Sequence, residues 1–60
     1  MDRVVATYRV DSHEVVIVES VEDEGTYFHV MVDGLEGEET FAVPPSAEEL
    51  TRIVDRRLGW

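Results

Sequence analysis

Cysteine and lysine are both missing from this chain of 60 residues, and histidine occurs only at positions 13 and 29. The first absence removes disulfide staples, and two isolated histidines do not make a structural zinc site, so neither device of small secreted scaffolds applies. Also absent are the glycine-rich phosphate loop, the dinucleotide fingerprint and the H-E-x-x-H zinc motif; Gly25, Gly34, Gly37 and Gly59 read as turn or cap residues. No cofactor is implied. No apolar run approaches the roughly 20 residues a membrane span needs. Met1-Asp2-Arg3 leads only into Val4-Val5-Ala6 before Thr7 and Arg9, too short for a signal-peptide core, so the expectation is a cytoplasmic protein with no membrane partner.

Positive charge is scarce. Five arginines face 14 acidic residues, for a net charge of −9. Such a field repels phosphate backbones and argues against direct binding of DNA or RNA. It favours a basic protein partner, or else serves solvation in a salt-adapted, halophilic cell. The aromatic residues Tyr8, Tyr27, Phe28 and Phe41 fall on expected strands, where packing accounts for them; base stacking would also need a basic surface.

A chain this short buries only about 60% of the surface its unfolded form exposes, which fits one domain over residues 1–60 with a single thin apolar layer. Self-association is an available source of further burial. β-Branched and aromatic residues predict strands over about 4–10, 13–21 and 26–32, with a short fourth over 39–43 ended by Pro44-Pro45. Asp11-Ser12, Glu22 to Gly25 and Asp33 to Glu38 supply the turns. Two registers fit the central hairpin. A two-residue turn puts Phe28, Val30 and Val32 on the face of Val15, Ile17 and Val21; a three-residue turn with a bulge puts them with Val16 and Val18.

Ser46-Ala47-Glu48-Glu49 matches the capping box, and Ala47, Leu50, Ile53, Val54 and Leu58 recur at helical spacing, predicting a helix over about 47–58 that Gly59 closes. Glu48 and Glu49 in its first turn and Arg52, Arg56 and Arg57 further on complement the helix dipole. The fold class expected is therefore α+β, an antiparallel three- to four-stranded β-meander packed against one C-terminal helix.

Three kinds of functional residue follow. Successive turns of a meander alternate between sheet ends, so Glu22, Asp23 and Glu24 form one acidic pole and Asp33, Glu36 and Glu38, with Asp11, form the other. Both are candidates to meet a basic partner. Trp60, just past the helix cap, is a further candidate contact. Apolar side chains on both sheet faces, Val5, Val16, Val18 and Tyr27 among them, exceed what one helix covers and point to pairing with a second copy through the sheet or to a curled half-barrel. His13 and His29 are the near-neutral bases, but Ser12, Ser20 and Ser46 sit in turn, strand and cap contexts, and no nucleophile, base and orienter are expected to assemble. A small enzyme or metal protein would require these groups and the loop carboxylates to converge.

Residues 15 to 50 resemble the HicB-type antitoxin domain. The resemblance rests on the apolar strand Val15 to Glu19, the acidic hairpin Glu22-Asp23-Glu24-Gly25-Thr26-Tyr27, Val30 to Val32, Leu35 and Gly37, and Glu48-Glu49-Leu50. The chain departs from that pattern in lacking both loop prolines and in carrying an extra strand before it. The resemblance implies a non-catalytic acidic module that neutralises a basic, RNA-cleaving partner. The functional expectation is thus a non-enzymatic interaction module that homodimerises through its sheet, with an acidic inhibitor of a basic partner as the alternative.

Overall fold

The computed structural model describes residues 1–59, so Trp60 lies outside the described residues. The fold is α+β: β1 (Asp2–Val10), β2 (His13–Glu22), β3 (Gly25–Val32) and β4 (Leu35–Glu36) form one antiparallel sheet in chain order, followed by α1 (Ala47–Leu58). Among the described residues no helix is long and apolar enough to cross a membrane.

Turn chemistry sets the register. Asp11 and Ser12 both have positive φ, as do Asp33 and Gly34, so two-residue turns whose twist matches the strands close the first and third hairpins. In the central hairpin Glu22 pairs with Gly25 across Asp23 and Glu24, which selects the two-residue register. Val15 then opposes Val32, Ile17 opposes Val30 and Glu19 opposes Phe28. Residues directly opposite share a face, so one side of the sheet gathers Val15, Ile17, Phe28, Val30 and Val32. Leu50, Ile53 and Val54 of α1 complete the buried cluster, with Ala6, Val10, Phe41 and Leu58 packed at its margin. Val21 shares this parity but lies 47% exposed, near the hairpin tip.

The helix begins where its sequence requires. Ser46 Oγ accepts from the Glu49 amide at 3.3 Å, and the Glu49 carboxylate accepts from the Ser46 amide at 3.1 Å. Gly59, at φ 77°, ends it in the left-handed region.

The fourth strand differs from expectation. Residues 39–43 do not form a strand; β4 is Leu35–Glu36, and only Phe41 returns to the sheet, exchanging two 2.8 Å backbone bonds with Phe28. Between Glu36 and Phe41 the chain carries more residues than β3 can pair, and it leaves the edge. Phe28 turns both backbone groups outward to Phe41, and Val30, two residues on, turns its carbonyl the same way with no strand to meet it. Arg57 fills the gap: its Nη1 donates to the Val30 carbonyl at 2.6 Å. Its buried Nη2 faces Glu39 Oε1 at 3.5 Å, an ion-pair contact without a hydrogen bond, while Arg56 pairs with the other oxygen of the same carboxylate. Gly37 lies against this guanidinium, where a β-carbon would collide with it.

Two substitutions test these local arguments by urea unfolding. Ser46→Ala is expected to cost about 1 kcal/mol through the lost cap. Gly37→Ala is expected to cost about 1–3 kcal/mol, because moving the guanidinium leaves the Val30 carbonyl without its donor.

Candidate interaction surfaces

The two acidic poles differ in kind. At the β2–β3 turn Glu22, Asp23 and Glu24 are exposed and flank Tyr27, and among the described residues only Glu22 has a cation nearby, the N-terminal ammonium at 4.0 Å. The opposite pole is largely neutralised from within. Asp33 meets His13 at 2.6 Å, Glu36 meets His29 at 2.5 Å, and Glu39 holds Arg56 and Arg57 of the helix. Of the four expected there, Asp11 has no ion pair among the described residues, and neither has Glu38. A cleft of about 630 Å³ opens beside it, walled by Val32, Leu35 and Leu58.

Asp33 is a structural carboxylate. Its Oδ1 accepts from the Glu14 amide at 3.0 Å while its own amide donates to the Glu14 carbonyl at 2.8 Å. Its carboxyl is held below the usual aspartate value, first by the hydrogen bond from His13 and then by that from the Glu14 amide, against an opposing cost of burial and with lesser help from the charges of His13 and Arg9.

The sheet face away from the helix has no cover among the described residues. Register places Val16, Val18 and Ser20 of β2 there with Tyr27, His29 and Met31 of β3, and with Asp2, Val4 and Thr7 of β1. Val16, Val18 and Tyr27 therefore lie together on the open face, each half-buried. Val5 does not join them as a paired residue. It is the extra residue of a bulge, since Val4 pairs with Val18 and Ala6 with Ile17. The bulge switches parity within β1 and lets Ala6 and Tyr8 face the helix side.

A polar chain crosses this open face, one residue from each strand. Ser20 Oγ lies 2.8 Å from Asp2 Oδ1 and 2.5 Å from His29 Nε2, and His29 Nδ1 lies 2.5 Å from Glu36 Oε1. The expectation that no nucleophile, base and orienter would assemble is corrected here: serine, histidine and glutamate stand in hydroxyl-to-Nε2 and Nδ1-to-carboxylate order. The register brings them together, because with a two-residue turn Ser20 is diagonal to His29 and His29 is diagonal to Glu36. The sequence held no local signal of this, because Ser20 and His29 share a face only in the two-residue register. The environment is nevertheless not that of a nucleophile. Ser20 is 1% exposed, its hydroxyl is also shared with Asp2, and its interior strand commits its amides to ladders on both sides, so they are not free to hold an oxyanion. Among the described residues no three histidine or carboxylate side chains converge in a way that would hold a metal ion.

β1 is the open edge. It is nine residues long, flanked on one side by β2 and on the other by no strand among the described residues, with Val4 60%, Val5 39% and Tyr8 46% exposed. The other edge is closed by β4, Phe41 and Arg57.

The depressed Asp33 pKa carries a pH dependence. Its contribution to stability is complete above the unfolded-state value of about 3.9 and is lost as pH falls through the lower folded value. The stability difference between the wild type and Asp33→Asn, followed by urea unfolding, is therefore expected to be larger at pH 5 than at pH 2 and to shrink below about pH 4. A difference that persists undiminished at pH 2 would refute the assignment. No protein-family model, curated protein or solved structure matches this chain.

Proposed function

We propose that this chain is a non-enzymatic protein–protein interaction module of the cytoplasm that pairs with a second copy of itself through the outer edge of β1. One observation carries the reading: a nine-residue edge strand whose outer backbone groups have no partner among the described residues, bearing exposed Val4, Val5 and Tyr8. An unpaired strand edge is a template for another strand, and antiparallel pairing about a two-fold axis would join two four-stranded sheets into one of eight. Charge supports the same strand. In a chain of net charge −9, β1 carries Arg3 and Arg9 against Asp2 alone, so two acidic copies repel each other least along it. The bulge at Val5 and the two arginines are also devices that limit indiscriminate edge pairing, which favours a defined partner over aggregation.

A second reading is favoured by a separate observation, the exposed carboxylates of Glu22, Asp23 and Glu24, of which Glu22 alone has a cation near it among the described residues. It makes the β2–β3 turn a docking pole for a basic protein, in the manner of an acidic inhibitor. Nucleic acid fits neither reading, because the same charge repels it.

Sedimentation velocity at micromolar concentration discriminates the readings. The wild type is expected to run as a dimer, and the double substitution Val4→Lys with Tyr8→Lys is expected to run as a folded monomer, since both side chains are exposed in the single chain. A monomeric wild type, or a double variant that stays dimeric, would overturn pairing through β1.

A further inference from the structure

The polar chain on the open face has a proton count that fixes its chemistry. Ser20 has one hydroxyl hydrogen and two close oxygen or nitrogen neighbours, Asp2 Oδ1 at 2.8 Å and His29 Nε2 at 2.5 Å. If that hydrogen goes to the Asp2 carboxylate, Nε2 must be the donor to Ser20. Nδ1, 2.5 Å from Glu36 Oε1, must also donate, because a ring lone pair there would face a carboxylate oxygen. With Asp2 and Glu36 both ionised, every contact is satisfied at once only when both ring nitrogens carry protons, with the imidazolium set between two anions.

We propose that His29 is a proton-operated tie across the sheet: as an imidazolium it links Glu36 on β4 through Ser20 on β2 to Asp2 on β1, and on giving up its Nε2 proton it releases Asp2. The direction of release follows from the partners. A proton on Nδ1 is kept by the charge-assisted bond to Glu36. Neutral His29 therefore keeps Nδ1–H, and Nε2 becomes an acceptor. Ser20 rotates its hydrogen from Asp2 to Nε2, leaving the Asp2 carboxylate against a hydroxyl that no longer donates. The groups facing the ring are Asp2 from β1, Ser20 from β2 and Glu36 from β4, with Tyr27 of its own strand at 5.3 Å between ring centroids; the helix packs on the other face. Asp2 begins β1, and its neighbour Met1 pairs with Val21 through two 2.9 Å bonds, so release loosens one end of the edge strand. The tie is internal to one chain and stands whether or not copies pair.

Ring nitrogen NMR of the intact chain tests this directly. At pH 5 both nitrogens of His29 are expected to be protonated. At pH 8.5 Nδ1 is expected to stay protonated while Nε2 becomes the acceptor. Over the same interval the Val21 amide, corrected for the intrinsic pH dependence of exchange, is expected to lose protection roughly ten-fold. That loss is expected to persist in His13→Gln, which removes the other histidine, and to vanish in His29→Gln. A neutral ring protonated on Nε2 would overturn the proposal even if His29→Gln does not fold. So would an unchanged Val21 response in a folded His29→Gln.

Discussion

The guanidinium of Arg57 is the contact on which the arrangement of this small protein depends. It joins the last turn of the helix, the β3 backbone at Val30 and the carboxylate of Glu39 in the returning loop. Without it the segment between Glu36 and Phe41 would leave an edge carbonyl of the sheet without a partner, and an unmet buried carbonyl costs about 1–3 kcal/mol. The same group explains Gly37, which allows the loop backbone to lie against it. In a chain with one thin apolar layer, a half-buried arginine acts where a longer strand would otherwise have closed the sheet.

That closure makes the two edges of the sheet unlike. One side is covered by β4, by Phe41 and by a side chain; the other presents nine residues of β1 with exposed apolar side chains. Electrostatics repeats the asymmetry. At the β3–β4 end Asp33, Glu36 and Glu39 are matched by His13, His29, Arg56 and Arg57, while at the β2–β3 turn Asp23 and Glu24 have no ion pair among the described residues. Net charge alone would treat both ends as equivalent binding surfaces. The pairing pattern assigns the first to holding the fold and leaves the second free.

The open face combines apolar and polar character in a way the register explains. Val16, Val18 and Met31 shield one another by side-by-side packing, while Asp2, Ser20, His29 and Glu36 form a line across them. A buried hydroxyl at Ser20 is tolerable because it is hydrogen-bonded, and the line ties both outer strands to the middle of the sheet. Each member is unremarkable in sequence: a residue near the N-terminus, a strand serine, a strand histidine and a loop glutamate.

The helix was legible from the sequence because its signals are local. Capping residues, apolar spacing and a terminal glycine act within a few positions of one another, and Ala47–Leu58 follows from them. The three long strands and the α+β class were legible for the same reason, through β-branched runs and turn residues. The hairpin register was not, since both turns are locally acceptable and burial of Val15 and Ile17 under the helix decides between them. The fourth strand was misplaced because its fate is set by Arg57, some twenty residues further along, which no local propensity encodes. The roles of Glu36, Asp33, Ser20 and His29 are likewise properties of pairing across strands. Sequence by itself determined which segments are ordered and how much charge they carry; only tertiary contact decided which charges are spent inside the fold and which edge is left open.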